Sequence, residues 1–88
     1  MAPRITSGRR ANGSAIRALR EALGIKHGDF ARDVLVSTGY LSNIEKGARQ
    51  PAPDVTRRIA DRLGVGVDAI TYPISTEQSV AAQPLVTT

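Results

Sequence analysis

The stretch from His27 to Lys46, HGDFARDVLVSTGYLSNIEK, limits what this chain can fold into more than any other. It reads as two short helices joined by a tight turn. Phe30, Ala31 and Val34 fall on one helical face, at i, i+1 and i+4, and Leu35 and Val36 then break that period. Ser37 supplies an N-cap oxygen for a second helix, whose apolar positions are Leu41 and Ile44. Gly47 closes it, because glycine enters the left-handed conformation without steric cost. Opposite Leu41 and Ile44 stand Thr38, Gly39, Ser42, Asn43 and Lys46. A face needed only for solubility would carry Glu and Lys throughout. This one is small, hydrogen-bonding and nearly uncharged, as a contact surface would be.

The remaining chain arranges itself around that unit. A first helix is expected from a Ser14 cap to about Leu23, with Gly24 as its stop and Ile16, Leu19 and Leu23 as its core stripe. The second begins near His27, with Asp29 in its first turn, where a negative charge suits the helix dipole. Ala31 must be small for the two central helices to approach. Residues 48–53 read as a loop, and Pro53 suits the first position of a fourth helix, where its missing N–H is harmless. Val55, Ile59 and Leu63 face the core, and Gly64 ends that helix. A short fifth helix over Val67 to Ile70 is expected before Pro73. The expectation is therefore an all-α, compact five-helix bundle over residues 14–71. Residues 1–13 form a flexible basic arm ahead of it. Residues 72–88 follow as a tail that is either disordered or docks on a partner subunit through Val80, Leu85 and Val86.

Charge and composition exclude several classes. The net charge is +4, but Arg4, Arg9 and Arg10 give the arm +3 without an acid, whereas residues 14–71 hold nine bases against seven acids. A basic balance favours a polyanionic partner without identifying it. There is no cysteine, which removes disulfides and cysteine-ligated zinc. One histidine, scattered acids and no Gly-rich phosphate loop, HExxH or GxSxG pattern leave no basis for catalysis, a metal or a cofactor. No apolar run reaches the ~18 residues of a membrane span and no signal-peptide core is present, so the cytoplasm is the default compartment.

The segment from Ile16 to Ile70 resembles the phage repressor and Cro type of helix-turn-helix domain, the XRE-like, lambda-repressor-like fold. The resemblance rests on IRALREALG from Ile16, on Ala31, and on Ser37, Tyr40, Leu41, Ser42, Ile44, Glu45, Lys46 and Gly47. It continues through Arg49 and Pro51 to RIADRLGVGVDAI, Arg58 to Ile70. It implies that Thr38, Gly39, Ser42 and Asn43 face bases in a DNA major groove. Asn43 is the best reader, since an amide both donates to and accepts from adenine. Gly39 either allows close approach to the duplex or is neutral. His27, Ser37, Tyr40, Lys46 and Arg49 are implied as phosphate contacts, which set register without reading sequence; for Tyr40 a ring packed on the domain surface is an equal reading. Arg4, Arg9 and Arg10 are candidate arm contacts through counterion release. The resemblance also implies an ion pair between Arg20 and Glu45. Where the family commonly has glycine at the turn, this chain has Leu35, so either the turn is adjusted or the second helix runs on by a residue.

These readings lead to a sequence-specific, double-stranded DNA-binding transcription regulator, expected to be a bacterial or phage repressor that occupies an inverted-repeat operator as a homodimer. Two alternatives use the same fold: an antitoxin-like module with a protein partner on its tail, and a phage excision or activation factor.

Overall fold

The computed structural model describes residues 8–74. Their order is strand β1 (Gly8–Ala11), helices α1 (Gly13–Ala22), α2 (His27–Asp33), α3 (Thr38–Lys46) and α4 (Pro53–Leu63), a 3-10 turn (Val67–Ala69), and strand β2 (Thr71–Ile74). Phe30, Ile16, Leu41, Ile44, Ile59, Ile70 and Val34 are the largest fully buried side chains. Each contributes about 1.5–3 kcal/mol by leaving water. They come from every helix and from the end of the 3-10 turn, so α2 and α3 are held as one unit by the helices around them.

The helix ends follow one scheme. At the end of α1, Gly24 N–H donates to Glu21 O and Ile25 N–H to Arg20 O. After α4, Gly64 and Val65 donate to Asp61 O and Ala60 O in the same way. Gly47 and Ala48 end α3 likewise, on Ile44 O and Asn43 O. In each, a left-handed residue is followed by one whose N–H reaches back to the last turn, the Schellman arrangement. Ile25, Val36 and Val65, the residues after the left-handed position, pack on the core. The end of α2 keeps this geometry with a leucine. Leu35 N–H donates to Arg32 O and Val36 N–H to Ala31 O, and Leu35 takes φ 65°. The turn is thus unadjusted and the helix does not run on; the leucine bears the strain. Arg58 Nε donates to Val34 O at 2.8 Å and Arg62 Nε to Asp33 Oδ2 at 2.7 Å, so α4 clamps the same turn from outside.

A left-handed residue other than glycine costs roughly 1–2 kcal/mol, and glycine costs about 0.5–1 kcal/mol more unfolded-chain entropy. Leu35 is 73 % exposed, so its side chain forfeits little burial if removed. The Leu35→Gly variant is therefore expected to be more stable by about 1 kcal/mol, read as a higher urea midpoint with an unchanged slope. A lower midpoint would mean that the leucine side chain supports the fold.

Four expectations are corrected. First, the described residues hold four α-helices and a two-stranded sheet, not five helices. Val67 O accepts from Ile70 N–H and also from the Thr71 hydroxyl, at 2.8 Å. The turn closes on i→i−3 bonds, Thr71 then pairs with Ala11 in the ribbon, and Pro73 has no N–H to continue a helix. Second, Gly8–Ala11, placed by the sequence in a flexible arm, pairs antiparallel with Thr71–Ile74, Ala11 opposite Thr71 and Gly8 opposite Ile74. Residues 72–74 of the expected tail lie in that ribbon, and residues 75–88 lie outside the described residues, as does Arg4. Third, Asn12 rather than Ser14 caps α1: its Oδ1 accepts from Ala15 N–H at 3.1 Å and from the Ser14 hydroxyl. Fourth, Leu23 is 55 % exposed. It is the cap residue of α1, where the chain turns away toward Ile25, and Ile16 and Leu19 carry the stripe without it.

Candidate nucleic-acid interface

α3 buries Leu41 and Ile44 and turns Thr38, Gly39 and Asn43 to solvent, with Ser42 half-buried. Ser37 Oγ accepts from Tyr40 N–H at 3.0 Å, which caps the helix and leaves the Ser37 hydroxyl proton free for another acceptor. A Cβ on Gly39 would meet nothing within 4 Å, so nothing inside the protein calls for glycine there.

Around this uncharged face the structure sets a partial ring of polar and cationic groups. Lys46 and Arg49 are exposed. The Arg49 guanidinium lies 5.0 Å from the centroid of the Tyr40 ring, which itself packs against the core. The ring thus holds Arg49 in place by a cation–π contact. His27 opens α2 and its Nε2 lies 3.2 Å from Ser42 Oγ. Arg17, Arg20, His27, Ser42, Glu45 and Lys46 line a cleft of about 250 Å³ there. Arg17, hydrogen-bonded to Glu21, has its pKa raised by that bond and by the carboxylate charge.

Arg20 and Glu45 close the base of this cleft. Arg20 Nε donates to Glu45 Oε2 at 2.8 Å and Nη2 to Glu45 Oε1 at 3.2 Å, while Nη1 donates to Ile25 O at 2.8 Å. Their side chains are only 9 % and 7 % exposed. The fork-shaped guanidinium meets the carboxylate in two parallel bonds and also fills a free carbonyl at the end of α1. This locks α1 onto the last turn of α3.

Of the residues singled out from sequence, the structure groups Thr38, Gly39, Ser42 and Asn43 on one face and gathers His27, Ser37, Tyr40, Lys46 and Arg49 around it. Arg9 and Arg10 stand apart on β1. Arg9 donates from Nε to Thr71 Oγ1 at 2.8 Å and from Nη2 to Thr71 O at 3.3 Å, and Arg10 lies opposite Tyr72. Sequence reasoning missed Gln50, whose Oε1 accepts from Ala11 N–H at 2.8 Å and joins the α3–α4 loop to β1. It also missed Gly13, whose close approach to α3 leaves no pattern along the chain.

A helix-turn-helix domain model matches residues 13–71. Among curated proteins, the chain is 38% identical over 58 residues to the uncharacterized HTH-type transcriptional regulator Rv0474 of Mycobacterium tuberculosis. That match covers 66% of this chain and 41% of the relative, so the chain spans less than half of that protein's length. It is 33% identical over 61 residues to the uncharacterized HTH-type transcriptional regulator YazB of Bacillus subtilis, covering 69% of this chain and 88% of the relative. Among solved structures, the c2 repressor of phage P22, crystallised with a synthetic operator, is similar with a TM-score of 0.63. It is 25% identical, over 67% of this chain and 89% of the repressor. With the α2–turn–α3 unit and its surrounding helices in place, the chain belongs to the helix-turn-helix domain family, of the phage-repressor type.

Proposed function

We propose that this protein is a sequence-specific, double-stranded DNA-binding transcription regulator that lays α3 in the major groove. The observation that carries this reading is the α3 face itself: Thr38, Gly39, Ser42 and Asn43 without a charge, bordered by His27, Lys46 and Arg49. A B-form major groove admits one helix, whose side chains read base edges while peripheral donors hold phosphates. Asn43 pairs with an adenine edge, Thr38 meets a base or a thymine methyl, and Gly39 lets the helix come close. Ser37, Lys46, Arg49 and His27 fix the register on the backbone. Regulation is by repression: a bound copy occludes promoter elements. Two copies bind an inverted repeat with half-sites about one helical turn, ~34–36 Å, apart.

In-vitro selection from a random duplex library at near-physiological salt tests this. An enriched inverted repeat is the expected outcome. Absence of any enriched sequence, with binding that disappears as salt rises, would reduce the protein to a nonspecific cation.

The peripheral cations carry their own prediction. Lys46→Ala and Arg49→Ala are each expected to weaken binding evenly across sequences. Each should also lower the slope of log affinity against log salt by about 1, since one fewer counterion is released. Titrations at three salt concentrations read this, and a slope equal to that of the parent would place the side chain off the backbone.

A further inference from the structure

The contact between His27 and Ser42 joins a residue assigned to the backbone with one assigned to the bases. We infer that Ser42 is a specificity-determining residue whose hydrogen-bonding polarity is set by the protonation of His27; this rests on the DNA-binding reading above. The Nε2–Oγ distance is 3.2 Å, and Ser42 is only half-buried, so its hydroxyl is shared between the ring and the exposed face of α3.

The two ring nitrogens are not independent. Nε2 is committed to Ser42, so a phosphate can be held only through Nδ1, and holding it requires a proton there. In the neutral ring that places the single proton on Nδ1 and leaves Nε2 as an acceptor. Nε2 then takes the Ser42 hydroxyl proton, and Ser42 presents only oxygen lone pairs to the groove. Adenine N6 and cytosine N4, the amino groups of the major groove, are what such an acceptor reads. When His27 is protonated, Nε2–H donates to Ser42 Oγ instead. The serine proton is freed to point outward, toward the acceptors of guanine or the O4 of thymine. His27 is thus a positioning residue acting through Ser42.

Charged groups of both signs face the ring. From α1 come Arg17 and Arg20, from α3 Glu45 and Lys46, and Lys26 and Asp29 flank the ring on its own segment. Glu45 is taken by Arg20 and Arg17 by Glu21, and Asp29 accepts from Arg32. A phosphate at Nδ1 adds a negative charge when DNA binds. Histidine side chains in general change charge between about pH 5 and 8, which sets the range to compare.

Selection of duplexes by the full chain at about pH 5.5 and about pH 8, the two sides of that range, tests the inference. At one position of each half-site, the parent is expected to move from guanine or thymine at the lower pH to adenine or cytosine at the higher. The affinity ratio for the two classes should change by about three- to tenfold. His27→Gln should give the same base at both pH values, and Ser42→Ala should lose discrimination at that position alone. A parent motif identical at both pH values would overturn the inference and leave the DNA-binding proposal standing. So would a His27→Gln protein, folded by circular dichroism, that kept the shift. Failure to enrich any motif at either pH would instead bring down the proposal on which it rests.

Discussion

Glu45→Ala is expected to cost about 3–5 kcal/mol in urea unfolding. The alanine leaves the Arg20 guanidinium, whose side chain is 9 % exposed, with no carboxylate and only Ile25 O to satisfy it. The penalty comes from the charge left behind rather than from the strength of the pair, because both ions were already desolvated in making it. For a domain of this size, total stability lies near the lower end of about 5–15 kcal/mol, so most of it would be lost. The double variant Arg20→Met/Glu45→Leu removes both charges and keeps apolar volume, and should recover most of the loss. If the single variant cost less than 1 kcal/mol, or the double fared worse than the single, water would have to reach the pair, against its burial.

Gly13→Ala should destabilise by about 2 kcal/mol or more, net of the ~1 kcal/mol that alanine gains in helix propensity. A Cβ at residue 13 would contact Ile44 O, lie 2.6 Å from Glu45 O and stand 2.9 Å from Glu45 C. These are backbone atoms in the last turn of a helix, and no rotamer change can clear them. The first turn of α1 would have to lift away from α3, at the residue where Arg20 also grips it. Gly13→Ala and Glu45→Ala therefore act on one contact, and their effects should not add. Thermal melts of the two single variants and the pair would show it. A Gly13→Ala protein as stable as the parent would mean that α1 and α3 do not touch there.

Much of this fold could be read from local chemistry. Gly24, Gly47 and Gly64 each mark a helix end because the left-handed conformation favours them, and Pro53 marks a start. The apolar period then placed Val55, Ile59 and Leu63 on the core side of α4. What failed depends on distant partners. GRRA in β1 has no alternation of its own and becomes a strand only because TYPI, some sixty residues on, lies beside it. The 3-10 turn reads as a helix because what draws the chain off after one turn is the pairing of Thr71 with Ala11 on the distant β1, which no periodicity records. Asn12 takes the cap from Ser14 because Gly13 lets the helix begin two residues earlier against α3.

The candidate interface divides in the same way. The uncharged face of α3 was visible as a pattern of Thr38, Gly39, Ser42 and Asn43 against Leu41 and Ile44. The contact of His27 with Ser42 and the seat of Arg49 on Tyr40 depend on how neighbouring segments cross. Periodicity holds no information about such crossings.

The central claim is that α3 reads bases, and Asn43 tests it most directly. Asn43→Ala should be compared with the parent on the selected duplex and on variants changed at each base pair in turn. Discrimination is expected to fall by about 1–3 kcal/mol at one base pair of each half-site and to be unchanged elsewhere. An even loss of affinity over all the duplexes, with every preference intact, would contradict it.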